Sequence, residues 1–484
     1  MRKSGYQKRI AIIFMLLVFT LGSVPSALAN PPSGTLTIYD STVDFDHFAF
    51  ELFSDNGMKS WDEDTVTTTT FNTKVIENDF LKVTLLPDYG GRILSIIYKP
   101  TGNDLLYQNP VGTPYGIGEG NFYYNWLMVY GGIFPTFSEP EHGKYWLTPW
   151  DATVTVNNSD QISVEMTITD DVDFAGKPWN FTKGATGITA VATVTVYKDK
   201  SYVELNMKLI NNKNEVVGYE YWTCTTFAPG GDPQDMKMVV PIDKVVLKDD
   251  WWSWMGTAET AIDAPNHIFE YKNLALFSNW QDMGIAYAYP EVEKKWWGVI
   301  NPDNEEGVMR IANNQDDTPG LKFWTWGYDN SYDTDPLTFG NSARPYVELW
   351  AGHSSQFFQN SVLQPYETKE WTEYYTPTVG LSDVTAANEH GAALLDITET
   401  STSAQFKATV NTTAPGKTFT TELRLAGSPN YVLDTQTFVS GTGEKEIVVN
   451  RLLSTISAGN YTLELVLKDS LGTELLKAEV PFTK

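Results

Sequence analysis

The run Gln161-Ile162-Ser163-Val164-Glu165-Met166-Thr167-Ile168 decides the fold class. Ile162, Val164, Met166 and Ile168 alternate with polar residues. The same step recurs at Val203, Leu205, Met207 and Leu209, which alternate with Glu204, Asn206 and Lys208. A period of two puts successive side chains on opposite faces, so each run reads as a half-buried β-strand. Turn signals such as Lys99-Pro100-Thr101-Gly102-Asn103 and Pro229-Gly230-Gly231-Asp232-Pro233 separate such runs. No window sustains helical periodicity over three turns with caps, so the chain is expected to be all-β.

Composition narrows the class further. The 484 residues carry 34 Lys and Arg against 60 Asp and Glu, a formal net charge of -26. Nothing in such a chain replaces phosphate counterions, so nucleic acid is excluded as a partner. Charged residues make up only 19% and hydrophobic ones 42%, which excludes an acidic disordered tail. The single cysteine excludes an internal disulfide and a cysteine-based zinc site. Cys224 lies in Tyr221-Trp222-Thr223-Cys224-Thr225-Thr226-Phe227 and reads as a buried packing residue.

Residues 1–29 read as a secretory signal peptide. Arg2, Lys3, Lys8 and Arg9 precede the apolar stretch Ile10 to Leu21, and Ala27-Leu28-Ala29 supplies the small residues of a cleavage site before Asn30. Removing four basic and no acidic residues takes the charge from -26 to -30. No other apolar stretch approaches ~20 residues, so no membrane span is expected after cleavage. The protein is expected to be secreted, extracellular or in the cell envelope.

Trp usage changes along the chain. All 16 Trp lie at or before Trp371. Residues 379–484 still alternate, at Ala404, Phe406, Ala408 and Val410 and at Tyr461, Leu463, Leu465 and Leu467. This tail is expected to be a small immunoglobulin-like or fibronectin-like β-sandwich, with a boundary near Pro377 to Asp383. Residues 30–378 are expected to form one large two-sheet β-sandwich.

Aromatic clusters suggest a ligand for the larger part. They are Asn121 to Trp126, Trp251-Trp252-Ser253-Trp254, Trp296-Trp297 and Phe323-Trp324-Thr325-Trp326. Flat rings complement the C–H faces of sugars, and carboxylates bind the hydroxyls at their edges. Core packing also draws on aromatics, but in each adjacent Trp pair at least one ring is expected to be partly exposed. His142 sits in a Gly/Pro-rich loop, Gly131 to Gly143, as a candidate acid, base or hydrogen-bond donor. Tyr346, Glu348 and Trp350 are expected on one strand face, where desolvation would raise the carboxyl into a useful range. Glu139 and Glu141 are a candidate carboxylate pair, and His353 is a candidate cleft residue. Asp329-Asn330-Ser331-Tyr332-Asp333-Thr334-Asp335 is a weak Ca²⁺ candidate lacking the EF-hand glycine and terminal Glu. No other cofactor or metal is expected.

The stretch from Glu77-Asn78-Asp79-Phe80 through Pro87-Asp88-Tyr89-Gly90-Gly91-Arg92-Ile93 resembles the opening of galactose mutarotase-like (aldose 1-epimerase-like) domains. The His142 loop with Trp150, the run Asn304 to Gly327 and Tyr346-Val347-Glu348-Leu349-Trp350 are similar to later segments of an exported branch of that superfamily. The resemblance implies a β-supersandwich with a sugar cleft on its concave face. It implies Glu348 as the late-strand base and His142 as the early-loop histidine. Arg92, Glu141, Trp126, Trp222, Trp324, Trp326, Tyr346 and Trp350 are the candidate substrate-binding residues. The family's central histidine falls near Tyr221 to Thr226, where this chain has none.

Three functions follow. The first is a carbohydrate-active protein in which Glu348 and His142 do acid/base work on an oligo- or polysaccharide, as glycosidase, lyase or epimerase. The second is a non-catalytic carbohydrate-binding protein. The third is a structural or adhesive surface protein. The Trp distribution favours the first two.

Overall fold

The alternation at Val203–Asn211 does form a strand. Its four apolar side chains are 0–2% exposed, while Glu204, Asn206 and Lys208 are half-buried. The computed structural model describes residues 34–112, 130–248, 260–328 and 345–484. Among these residues there are strands and short 3-10 turns but no α-helix. Among the described residues no helix is long and apolar enough to cross a membrane.

Val203–Asn211 sits inside an 8-stranded antiparallel sheet. Its order is Lys237–Val239, Trp296–Asn301, Glu306–Ala312, Thr368–Val379, Val203–Asn211, Ile188–Tyr197, Gln161–Thr169 and Asp151–Asn157. A 13-stranded sheet covers its inner face. The main path of that sheet runs Thr37–Leu52, Met58–Glu77, Leu81–Leu86, Arg92–Tyr98, Ile133–Ser138, Val217–Phe227, Val347–Gly352, Gly320–Thr325, Gly284–Tyr289, Lys244–Leu247 and Ile268–Glu270. Val83, Leu321, Phe323, Val347 and Leu349 of the larger sheet join Val164, Val194, Leu205 and Met207 of the smaller in one apolar core. Each such side chain removed from water contributes about 1.5–3 kcal/mol.

Two ion pairs among the described residues have wholly buried side chains. Glu373 accepts from Arg310 Nε at 2.7 Å, Thr223 Oγ1 at 2.8 Å, Trp371 Nε1 at 2.9 Å and Tyr375 OH at 2.6 Å. Lys144 pairs with Asp170, which also accepts from Tyr145 OH at 2.9 Å and Thr186 Oγ1 at 2.6 Å. Filled lone pairs offset the cost of taking these charges out of water.

The tail forms two four-stranded sheets. One holds Ala386–Asn388, Gly391–Glu399, Ser403–Thr412 and Lys445–Leu452. The other holds Tyr431–Val439, Thr418–Ala426, Asn460–Lys468 and Glu474–Thr483. Phe406, Ile447, Leu423, Leu463 and Phe482 fill the space between them. Chain order alternates between the sheets as in a Greek-key sandwich. The start of the tail also packs on the outer face of the 8-stranded sheet, where Leu381, Ala387 and Leu394 meet Trp296, Ile300 and Met309.

Candidate functional site

Three neighbouring strands of the 13-stranded sheet carry the site on the face away from the inter-sheet core. In Val217–Phe227, Tyr219, Tyr221 and Phe227 join the inter-sheet core, while Trp222 and Cys224 belong to a separate aromatic cluster. In Val347–Gly352, Val347, Leu349 and Ala351 point to the core, leaving Glu348 and Trp350 for the other face. Register then aligns side chains from distant parts of the chain. Glu348 lies between Thr226 and Trp324, Trp350 beside Lys322, and Lys322 beside Tyr287. Gly352 lies beside Trp222, and a Cβ there would come 2.3 Å from the indole. Glycine is what lets that ring lie flat across the strand.

Glu348 is 2% exposed. Its Oε2 accepts a hydrogen bond from Trp350 Nε1 at 2.7 Å, and Lys322 Nζ stands 4.0 Å from the same oxygen. Oε1 has no hydrogen-bond partner. Burial pushes the carboxyl up to about 7, against the opposing pull of Lys322 and the Trp350 bond. Lys322 is itself buried, with its ammonium 4.1 Å from the Trp350 ring centre and 4.8 Å from that of Phe357. Desolvation lowers its pKa, and Glu348 resists that shift.

His142 closes one side. Its ring lies 4.4 Å from that of Trp146 and 4.9 Å from that of Trp350. Burial, with the cations Lys322 and Arg92 nearby, drives its pKa well below the usual histidine value. His142 is therefore a neutral imidazole at ordinary pH. The loop that carries it is anchored by the buried Lys144 pair. It also turns through Gly143 at a φ of 68°, where a Cβ would meet the Phe137 carbonyl oxygen at 2.3 Å.

Arg92 belongs to the scaffold of this loop and does not present its guanidinium to a ligand, which corrects the expected substrate-binding role. It is fully buried and donates to the carbonyls of Tyr89 at 2.7 Å, Gly131 at 2.8 Å and Trp146 at 2.5 Å. Its charge also lies 4.2 Å from the Phe134 ring centre.

The other expected residues divide. Trp350 and Trp222 stand on the site face, and Trp222 Nε1 has no hydrogen-bond partner. Trp324, Trp326 and Tyr346 form an adjoining aromatic group with Tyr107. Tyr346 stacks on Tyr107 at 3.9 Å and accepts from Trp326 Nε1 at 3.1 Å. Glu141 is half-buried, with its pKa raised by desolvation while Lys322 and Lys248 pull it down. Glu139 accepts from Lys183 N at 2.6 Å and pairs with its Nζ at 3.3 Å. His353 points to the inter-sheet side, bonded to Tyr219 OH at 2.9 Å and packed on Trp371, so it does not line the Glu348 face. Trp126, the Trp251 to Trp254 cluster and the Asp329 to Asp335 turn lie outside the described residues.

The expectation of an exposed ring in each Trp pair fails at Trp296-Trp297, where the two are 7% and 0% exposed. Trp297 lies under the Arg310 guanidinium in the inter-sheet core, and the start of the tail covers Trp296.

Two charged residues were missed. Lys322 shares the Trp324 side of Gly320–Thr325, and its alternation with Leu321 and Phe323 was the available signal. Glu220 is buried, accepts from Phe358 N at 3.0 Å, and is raised by desolvation to about 7. Among the described residues no three His, Cys, Asp or Glu side chains group as metal ligands.

The class this fold defines is all-β, with structural matches to galactose mutarotase-like and aldose 1-epimerase proteins. They include a putative aldose 1-epimerase from Klebsiella pneumoniae subsp. pneumoniae MGH 78578, at 14% identity and TM-score 0.48 over 63% of this chain and 79% of that one. A galactose mutarotase-like protein from Clostridium acetobutylicum matches at 11% identity and TM-score 0.44, over 64% of this chain and 96% of that one. A TPR-domain containing protein from Parabacteroides distasonis ATCC 8503 matches at 16% identity and TM-score 0.55, over 71% of this chain. The present chain spans only 55% of that protein's length. At these identities the likeness extends to the fold and not to an activity. The chain belongs to the family described as Domain of unknown function (DUF5107), whose profile matches residues 57–378.

Proposed function

We propose that this protein binds a sugar or glycan on the Glu348 face and acts on it by acid/base chemistry. The observation that carries this reading is Glu348 itself. It is a buried carboxyl lifted to about 7, with one oxygen unspent, set among Trp350, Trp222 and Lys322. A structural carboxylate in such surroundings fills its lone pairs, as Glu373 does. Glu348 leaves one for a ligand hydroxyl, and a value near neutrality suits a general base. His142, held neutral, binds hydroxyls and positions the ring. We further propose export after removal of residues 1–29, with the sandwich of residues 379–484 as a separate accessory domain.

The test is a panel of free sugars and glycans followed by NMR for binding, anomer exchange and new products, with Glu348→Gln and His142→Ala alongside. Glu348→Gln is expected to lower turnover about 10²–10⁴-fold. His142→Ala is expected to weaken binding more than it lowers turnover. Binding without any conversion by the unmodified protein leaves a carbohydrate-binding protein. No binding at all removes the sugar reading.

A further inference from the structure

Lys322 and Glu348 share an unusual state. Lys322 is 4% exposed, and its ammonium faces Glu348 and two aromatic rings. Its nearest carboxylate oxygen is 4.0 Å away, outside hydrogen-bond range. Glu348 Oε1 is also without a partner. A buried carboxyl with one oxygen left open and the other 4.0 Å from a buried ammonium is costly unless something completes it.

The titratable groups that act on Lys322 come from several elements. Glu348 lies on the adjoining strand, Cys224 on the next, Glu141 on the His142 loop and Lys248 beyond Lys244–Leu247. The Trp350 and Phe357 rings hold the ammonium over their faces. His142, between Trp146 and Trp350, is held as the neutral imidazole, whose remaining N–H is a very weak acid.

We infer that Lys322, and not His142, is the proton donor that works opposite Glu348. This rests on reading the face as a sugar site. The acid and base stand closer than the roughly 5–9.5 Å that separates carboxyl pairs flanking a glycosidic bond. They therefore serve neighbouring oxygens of one ligand. In a hemiacetal, Glu348 takes the hydroxyl proton and that oxygen's electrons form the carbonyl. The adjacent C–O bond breaks, its electron pair stays on the ring oxygen, and that oxygen takes a proton from Lys322. Closure on either carbonyl face reverses both transfers and restores the ammonium and the carboxylate.

The test follows anomer exchange of α-D-glucose, α-D-galactose and D-xylose by NMR across pH, using the full chain, Lys322→Met and Lys322→Arg. Folding of each variant is checked by near-UV circular dichroism. The unmodified protein is expected to give a bell-shaped profile, rising as Glu348 ionises and falling as Lys322 loses its proton. Lys322→Met is expected to lose at least about 100-fold in kcat while still binding. Its acid limb moves to higher pH, because the cation that favours ionised Glu348 has gone. Lys322→Arg is expected to lose turnover to a similar extent, since a guanidinium does not release its proton, while its residual activity keeps the acid limb in place. If Lys322→Met fails to fold, Lys322→Arg alone decides. Wild-type turnover in either folded variant overturns the role of Lys322 and leaves the sugar site standing. Binding without exchange by the unmodified protein also overturns it. No binding of any of the three sugars overturns both.

Discussion

Replacing Glu348 by Gln is expected to stabilise the folded chain above neutral pH and to change it little in acid. Burial lifts this carboxyl from its ordinary 4.5 to about 7 in the folded state. Below the unfolded value both states hold the proton and the group contributes nothing unfavourable. As pH rises from about 4.5 to about 7 the unfolded chain ionises first, so stability is lost across that window. Above it the full penalty stands, about 3 kcal/mol at about 1.4 kcal/mol per unit. At pH 5 the same arithmetic leaves less than about 1 kcal/mol. Gln keeps the shape without the charge. The assay is urea unfolding followed by Trp fluorescence at pH 5 and pH 8. It reports on the large sheets, because no Trp lies beyond Trp371. The expected result is a midpoint for Glu348→Gln that exceeds the unmodified one at pH 8 and nearly matches it at pH 5. Equal or lower stability at pH 8 refutes the view of Glu348 as a carboxyl held against its own solvation.

Other changes test the surroundings. Arg92→Met removes three buried hydrogen bonds to carbonyls and is expected to cost about 3 kcal/mol, read as a lower urea midpoint. Glu373→Ala strands the buried Arg310 charge and is expected to cost about 3–5 kcal/mol in the same assay, with little effect from added salt. Trp350→Phe removes the bond that favours ionised Glu348, so the acid limb of the pH–activity profile is expected to move to higher pH.

Much of the strand layout was legible because alternation of period two is a local signal. Val203 to Leu209 and Tyr461 to Leu467 read correctly from spacing alone. Glu348 between aromatics was legible for the same reason. The pattern fails where both faces of a strand are buried. Val217–Phe227 is covered almost throughout, so hydropathy does not say which side holds Trp222 and which holds Tyr221. Trp296 and Trp297 misled in the same way, since the tail covers the face that would otherwise meet water. Arg92 bonds to carbonyls 39 and 54 residues away, and Lys322 gains its meaning only from register with Trp350. Such pairings arise from sheet order, which no local window contains.

A crystal structure of the chain with a sugar that the NMR panel shows to bind tests the central claim most directly. The expected result is a ligand oxygen about 3 Å from Glu348 Oε1, with a neighbouring oxygen in reach of Lys322 Nζ. A sugar seated elsewhere, with Glu348 and Lys322 still facing only each other, contradicts it.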